Sequence, residues 1–154
     1  MDDPYVAHET QLRQVHAYLL GLFAELPRAP AEELAAKTAF ACRAMLWHHQ
    51  AESTGLFPFL RRAGRLRSTD VSFLDACDRE HDALHALCQR LLAKGEAPHL
   101  DPKGVFALAS ELGAQFELHA REEEMGLAPP RLRTMVTYEE LVAFGREMEA
   151  KRPR

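Results

Sequence analysis

Residues 48–58 of the chain read HHQAESTGLFP, and residues 119–129 read HAREEEMGLAP. Both segments fit the pattern H-x3-E-x2-G-L-x-P, in which a glutamate follows a histidine by four positions. Side chains at positions i and i+4 of an α-helix lie on the same face, so each segment presents an imidazole and a carboxylate together. The repeat predicts two helices that bring equivalent polar pairs to one place.

The rest of the chain is organised around these two segments. Apolar residues recur three and four positions apart, a spacing typical of helices, and no segment alternates strictly as a half-buried strand does. We predict long helices over about residues 4–26, 31–62, 68–95 and 102–129, and a short accessory helix over about 137–151. The short connections favour an all-α, antiparallel up-down-up-down four-helix bundle over about 4–130, within a single domain of 154 residues.

Local signals refine the helix boundaries. Pro58 lies inside the second predicted helix and cannot donate a backbone hydrogen bond, so we expect a kink or short break there. Ser68 or Thr69 is a candidate cap for the third helix. Thr137 and Glu140 have the spacing of a capping box at the start of the accessory helix.

Composition narrows the class of function. The chain is 47% hydrophobic and 27% charged, and its net charge of -4 gives no basic surface for nucleic acid. It lacks an apolar run of the ~20 residues that cross a bilayer, and Met-Asp-Asp-Pro does not resemble a signal peptide. We therefore expect a cytoplasmic protein without nucleic-acid or membrane partners. Cys42, Cys77 and Cys88 lie in apolar helical stretches, which favours reduced thiols.

Further histidines complete a candidate metal site. His81 and His85 are four residues apart on the third predicted helix, and the first helix offers His16 or His8. We prefer His16, because it matches the height of His81 along the bundle better than a residue in the first turn does. The predicted ligand set is His16, His48, Glu52, His81, His85, His119 and Glu123. His49 is assigned to the second shell or the surface, and His99 to a loop.

The composition of this set indicates the metal. Any one of these histidines alone is more often a hydrogen-bonded core residue, but an unpaired glutamate on an apolar stripe costs several kcal/mol to bury. Mixed nitrogen and oxygen ligands suit iron or manganese. Seven ligands are more than one six-coordinate ion can bind, whereas two irons offer about twelve coordination positions. Two bridging carboxylates and a shared oxo or hydroxo group would leave about one position open for an exogenous ligand.

At these residues the sequence resembles the hemerythrin-like proteins, or HHE cation-binding domain family, whose four-helix bundles hold a non-haem di-iron centre. The resemblance covers about residues 4–130. It implies that Glu52 and Glu123 are bridging carboxylates and that His85 matches the second histidine on the third helix of oxygen-carrying members. Glu122 and Glu124 flank Glu123 and could compete for the metal. The implied small-molecule partner is dioxygen, hydrogen peroxide or nitric oxide, bound, sensed or reduced.

Two other functions compete with this interpretation. One is iron storage or ferroxidase activity on a ferritin-like bundle. Those sites use a Glu-x-x-His pair on each of two helices, whereas the chain has this spacing once, at Glu96 and His99, and His99 is assigned to a loop. The other is a zinc-stabilised interaction module. It would use Cys77, His81, His85 and Cys88, which share a helical face but need ligands from other helices to surround one ion. The oligomeric state is left open.

Overall fold

The computed structural model describes residues 2–153. The helices are α1 Pro4–Ala24, α2 Leu34–Ala51, α3 Phe57–Arg62, α4 Ser68–Glu96, α5 Pro102–Gly126, α6 Pro129–Met135 and α7 Tyr138–Ala150. Short 3-10 turns at Leu26–Arg28 and Ala31–Glu33 join α1 to α2. Over residues 2–153 there is no β-strand, so the predicted all-α class is confirmed.

The four long helices surround a shared interior. Helix α1 packs against α2 and α5, and α4 packs against the same two helices. These contacts form a helical bundle, while the alternating order of helix directions stays a prediction. Helices α6 and α7 both lie against α1. None of the helices in the described residues combines the length and the apolar character needed to span a membrane.

Side-chain caps fix where several helices begin. Asp3 accepts a hydrogen bond from the Tyr5 backbone N–H at 2.9 Å, at the start of α1. The prediction that Ser68 or Thr69 caps the third helix is wrong, because α4 begins at Ser68 itself. There the side chain of Asp70, three residues after the cap position, accepts from the Arg67 backbone N–H at 3.0 Å.

The expected irregularity near Pro58 takes the form of one wide helical turn. Residues Glu52–Leu56 form a π-helical turn that leads directly into α3. Pro58 cannot donate to the backbone carbonyl four residues earlier, and a wider turn accommodates that loss without ending the helix. The chain therefore bends instead of breaking, and Glu52 stands at the junction.

The interior consists of two apolar clusters separated by a polar layer. The first, which we name the Leu19 core, includes Leu19, Phe23, Met45, Leu84, Cys88, Leu112 and Phe116. The second, the Leu60 core, includes Tyr5, Leu12, Leu56, Phe57, Leu60, Leu74, Cys77 and Leu127. On α1, His16 lies between Leu12 of one cluster and Leu19 of the other. The other long helices repeat this order, so each contributes polar side chains to the middle of the bundle.

Candidate metal centre

Six of the seven predicted ligands meet in the polar layer, and His49 joins them. The converging residues are His16, His48, His49, Glu52, His81, His119 and Glu123. All are buried except His48, which is partly buried. Five imidazoles and two carboxylates thus come together, the same numbers that sequence analysis predicts. His49 is present in place of His85, so two of the imidazoles are adjacent on α2.

The converging side chains form two groups that could each hold a metal ion. Ligand atoms within 4.8 Å of one another define a first group: His49, Glu52, His81 and His119. The same criterion defines a second group: His16, His48, Glu52 and Glu123. Glu52 belongs to both, so its carboxylate lies where the two groups meet.

Most of the ligand atoms are close together without being hydrogen-bonded to one another. The Nε2 atom of His16 is 3.3 Å from Oε1 of Glu123, and Nε2 of His48 is 3.2 Å from Oε1 of Glu52. Both oxygens of each glutamate, both nitrogens of His16 and Nε2 of His48 nevertheless lack a hydrogen-bond partner, as do both nitrogens of His49. Leaving a buried polar atom unpaired costs about 1–3 kcal/mol. Buried nitrogen and oxygen atoms that lie this close together without hydrogen-bond partners are arranged to bind a common cation.

Hydrogen bonds outside the cluster fix the orientation of two imidazoles. Ser53 Oγ donates to Asp78 Oδ1 at 3.0 Å, so it is free to accept from Nδ1–H of His81 at 2.9 Å. In the same way, Nδ1–H of His119 donates to Glu80 Oε2 at 2.7 Å. The Nε2 lone pairs of His81 and His119 then face each other at 3.1 Å. Two lone pairs at this distance require a cation, either a proton or a metal ion.

The two glutamates carry opposite pKa shifts. Burial, together with the negative charge of Glu123, raises the pKa of Glu52 well above its ordinary value. Burial acts in the same direction on Glu123, but the imidazoles of His119, His16 and His81 outweigh it and hold its pKa well below the ordinary value. One carboxyl therefore keeps a proton while its neighbour is ionised. A metal ion can take the place of that proton.

The histidines of α2 are neutral at physiological pH. Burial lowers the pKa of His48 to about 4, and it lowers the pKa of His49 still further. Burial also acts to lower the pKa of His119, but Glu123 and Glu80 reverse the shift and raise it. Neutral imidazoles are the form that binds metal ions.

Two predicted or candidate histidines lie outside the cluster. His85 is exposed, and its Nε2 is 3.1 Å from Nε2 of Gln89, so the structure does not bring it to the other ligands. The buried stripe of α4 continues from His81 to Leu84 and Cys88, one position away from the direction of His85. His8 lies in the first turns of α1, outside both metal-holding groups, whereas His16 is inside one.

Sequence analysis missed His49, although a signal for it was present. Cys42, Met45 and His49 are buried at spacings of three and four residues, and Glu52 follows three residues later. His48 and His49 point to either side of Glu52 on the interior face, because successive helical residues are rotated by about 100°. The wide apolar stripe of α2 could have indicated that two adjacent histidines share the interior.

The cysteines do not assemble a zinc site with their predicted partners. Cys77 borders His119 and Glu123. Burial and the nearby carboxylates raise the pKa of its thiol, which keeps it protonated. Cys88 lies in the Leu19 core, with its Sγ 3.7 Å from Sδ of Met45. With His85 exposed, the four proposed zinc ligands are not brought together.

The donor set fits a pair of metal ions with nitrogen and oxygen preferences. Seven converging ligand side chains, a shared carboxylate and unpaired polar atoms are the features that such a pair would satisfy. Comparison with protein families gives a match over residues 8–129 to the family described as Hemerythrin HHE cation binding domain. Comparison with curated proteins and with solved structures gives no match.

Proposed function

Because this chain belongs to the hemerythrin HHE cation-binding domain family, a cation-binding family, we propose that its polar layer holds two non-haem iron ions and reacts with a small oxidant. The oxidant would be dioxygen, hydrogen peroxide or nitric oxide. The observation that carries the proposal is the sharing of Glu52 between two groups of metal-ligating side chains. We also keep the expectation of a reducing, cytoplasmic location, which agrees with three free cysteines.

The two ions would have different surroundings. His49, His81 and His119 would supply three imidazoles to one ion. His16 and His48 would supply two to the other, with Glu123 beside them. Oε2 of Glu123 is also 3.2 Å from Nε2 of His119. With both carboxylates shared, the ion with two imidazoles would have one protein ligand fewer and would retain room for an exogenous ligand, as a reactive metal site requires. Iron bound there would supply the electrons and the Lewis acidity that the reaction needs.

The protein's own residues would prepare this chemistry. Ser53 and Glu80 hold the imidazoles of His81 and His119 with Nε2 directed inward, so these rings need little reorganisation when metal binds. The apolar clusters on both sides exclude water from the polar layer and strengthen its electrostatic interactions. The Glu52 carboxyl holds a proton until a cation displaces it.

Anaerobic reconstitution tests the proposal. Metal-free protein is loaded with ferrous iron, its metal content is measured, and it is titrated with each of the three oxidants while the near-ultraviolet and visible spectrum is recorded. Two irons per chain and a saturable spectral change support the proposal. One equivalent of iron contradicts the paired centre, and an unchanged spectrum with all three oxidants contradicts the reactivity. Reversal by removal of dioxygen would distinguish a carrier from a protein that consumes peroxide.

A further inference from the structure

Cys77 lies where the Leu60 core meets the polar layer. Its side chain is 1% exposed and packs in the Leu60 core. It precedes His81 by four residues on α4, so both side chains lie on the same face of that helix. A ligand atom from each of Cys77, His119 and Glu123 lies within 4.8 Å of the other two. One thiol therefore borders the metal centre, and neither metal-holding group described above includes it.

The two partners of Cys77 in this cluster offer atoms suited to a cation. Glu123 is fully buried, and neither of its carboxylate oxygens has a hydrogen-bond partner. Nε2 of His119 is 3.2 Å from Oε2 of Glu123. Because Nδ1–H of His119 donates to Glu80, Nε2 is the nitrogen of this ring that remains for a metal ion. Sulfur, nitrogen and oxygen atoms thus meet at one place inside the protein.

The spacing of these atoms is close to that of a tetrahedral zinc site. Zinc bonds of about 2.0–2.3 Å place two ligand atoms on one ion about 3.5 Å apart. The three atoms lie within 4.8 Å of one another, so side-chain movements of about 1 Å bring them to one ion. Three protein ligands with a fourth position for water are a common zinc arrangement. Thiolate ligands favour soft cations, and zinc is among them.

We propose that Cys77, His119 and Glu123 form a separate binding arrangement for one soft divalent cation, zinc or cadmium, with Cys77 bound as a thiolate. The cation replaces the S–H proton, which passes to solvent. This arrangement differs from the zinc module considered from the sequence, because His85 and Cys88 take no part in it. Its ligands come from α4 and α5 at the edge of the metal centre.

The arrangement shares His119 with one of the two groups that would hold iron. His119 also belongs to the group with His49, Glu52 and His81. A single Nε2 lone pair binds one ion, so a soft cation at Cys77 excludes iron from that group. Protein loaded with such a cation should then take up about one iron per chain instead of about two. This effect on iron rests on the proposed function, whereas the sulfur ligand does not.

Cadmium tests the sulfur ligand directly, because a cadmium–thiolate bond adds an ultraviolet charge-transfer band that the aqueous ion lacks. Metal-free protein with reduced thiols is titrated with cadmium chloride, and the difference spectrum is recorded. The band should saturate at about one equivalent in wild type. Cys77→Ser should lose the band and Cys88→Ser should keep it. Cys88 is the matched control, because it is buried on the same helix and, among residues 2–153, belongs to no metal-holding group.

A wild-type protein without the band overturns the inference, as does a band that survives Cys77→Ser or disappears in Cys88→Ser. Circular dichroism checks that each variant folds, and Cys77→Ala replaces Cys77→Ser if the serine variant does not. Wild type alone supplies an independent measurement. X-ray absorption on its zinc-loaded form should show a zinc–sulfur distance of about 2.3 Å, and a shell of nitrogen and oxygen alone overturns the inference.

Iron uptake by cadmium-loaded protein tests the exclusion. Uptake of about one iron per chain while the band persists supports it, as does loss of the band when a second iron enters. Uptake of about two irons with the band intact contradicts it. Failure of metal-free protein to bind two irons contradicts the proposed function, and the cadmium and zinc spectra then still decide whether Cys77 is a ligand.

Discussion

The imidazole rings of His49 and His81 lie almost parallel, with centroids 4.1 Å apart and planes inclined by 15°. The stack joins α2 to α4 inside the polar layer, and Phe57 continues it on the other face of His81 at 5.6 Å. His49 therefore lies beside His81 from the neighbouring helix, whereas sequence analysis predicted His85 as the further ligand.

This placement predicts different consequences for two histidine substitutions. His49→Ala should lower the iron content of reconstituted protein from about two toward about one ion per chain, because one group loses an imidazole. It should also lower the melting temperature of loaded protein, since metal bound to the folded state stabilises it. His85→Ala should change neither, because its ring is exposed. Iron analysis and calorimetry check both, and loss of iron in His85→Ala alone would reject the placement.

A second comparison concerns the first helix. His16→Ala should remove a ligand and reduce iron content, whereas His8→Ala should keep both irons and the oxidised spectrum. The reason is that His16 Nε2 is 3.3 Å from Glu123, while His8 belongs to neither group. Parallel loading of the two variants under identical conditions measures the difference. The opposite pattern, iron lost only from His8→Ala, would mean that α1 is shifted along the bundle.

A third prediction concerns the residue behind His119. Glu80→Gln should weaken metal binding about 10–100-fold, because the charged acceptor that orients Nδ1–H of His119 is replaced by a neutral one. Competition with a chelator of known affinity measures this change. Glu117→Gln is the control, because Glu117 is exposed and pairs with Arg121. Equal affinities in the two variants would show that Glu80 does not support the centre.

Metal binding should release protons. The raised pKa of Glu52 favours the protonated carboxyl in metal-free protein, and a bound cation displaces the proton. His48, with a pKa of about 4, is already neutral and contributes none. Metal affinity should therefore fall as the pH is lowered. An indicator dye in weakly buffered solution measures the release, and Glu52→Gln should release fewer protons. Metal uptake without proton release near neutral pH would contradict the protonated carboxyl.

Asp70 should stabilise the fold independently of metal. Its buried carboxylate accepts from the Arg67 backbone and lies 3.4 Å from Arg131, and these partners lower its pKa although burial opposes them. Asp70→Asn should reduce the free energy of unfolding by about 1–3 kcal/mol near neutral pH. Because the folded-state pKa is lowered, the contribution is present above the ordinary pKa and lost as pH falls through the folded value.

Chemical denaturation at several pH values measures this loss. The difference between wild type and Asp70→Asn should shrink as the pH is lowered from about 5 toward about 2. Asp75→Asn removes an exposed partner of Arg61 and should have little effect. A difference between wild type and Asp70→Asn that does not change with pH would exclude the ionised carboxylate as its cause.

The sequence predicted the helical class and most of the converging side chains, because both depend on local spacing. The repeated motif places His48 with Glu52, and His119 with Glu123, on single helical faces whatever the packing of the bundle. Apolar periodicity likewise predicts helices before any tertiary contact is known.

The choice between His49 and His85 could not be predicted in this way. His49 is adjacent to His48, and His85 lies one helical turn from His81, so the outcome depends on the rotation of α2 and α4 about their axes. The π-helical turn begins at Glu52, next to the segment of α2 whose rotation is in question. Pro58 predicts an irregularity there, but it does not predict that the irregularity is a π-helical turn. The hydrogen bonds that Ser53 and Glu80 accept from His81 and His119 are also tertiary, since these partners lie 28 and 39 residues away.

The polar layer between the Leu19 core and the Leu60 core has a consequence for how the molecule opens. In most domains the deepest amides exchange their hydrogens with solvent most slowly, because depth and stability coincide. In the proposed metal-bound state an ion holds the deepest level together. Removing that ion leaves two apolar halves joined by buried carboxyl and imidazole groups, several of which lack hydrogen-bond partners. The metal-free bundle should therefore exchange amide hydrogens faster in the polar layer, around His81, than in the helical segments on either side.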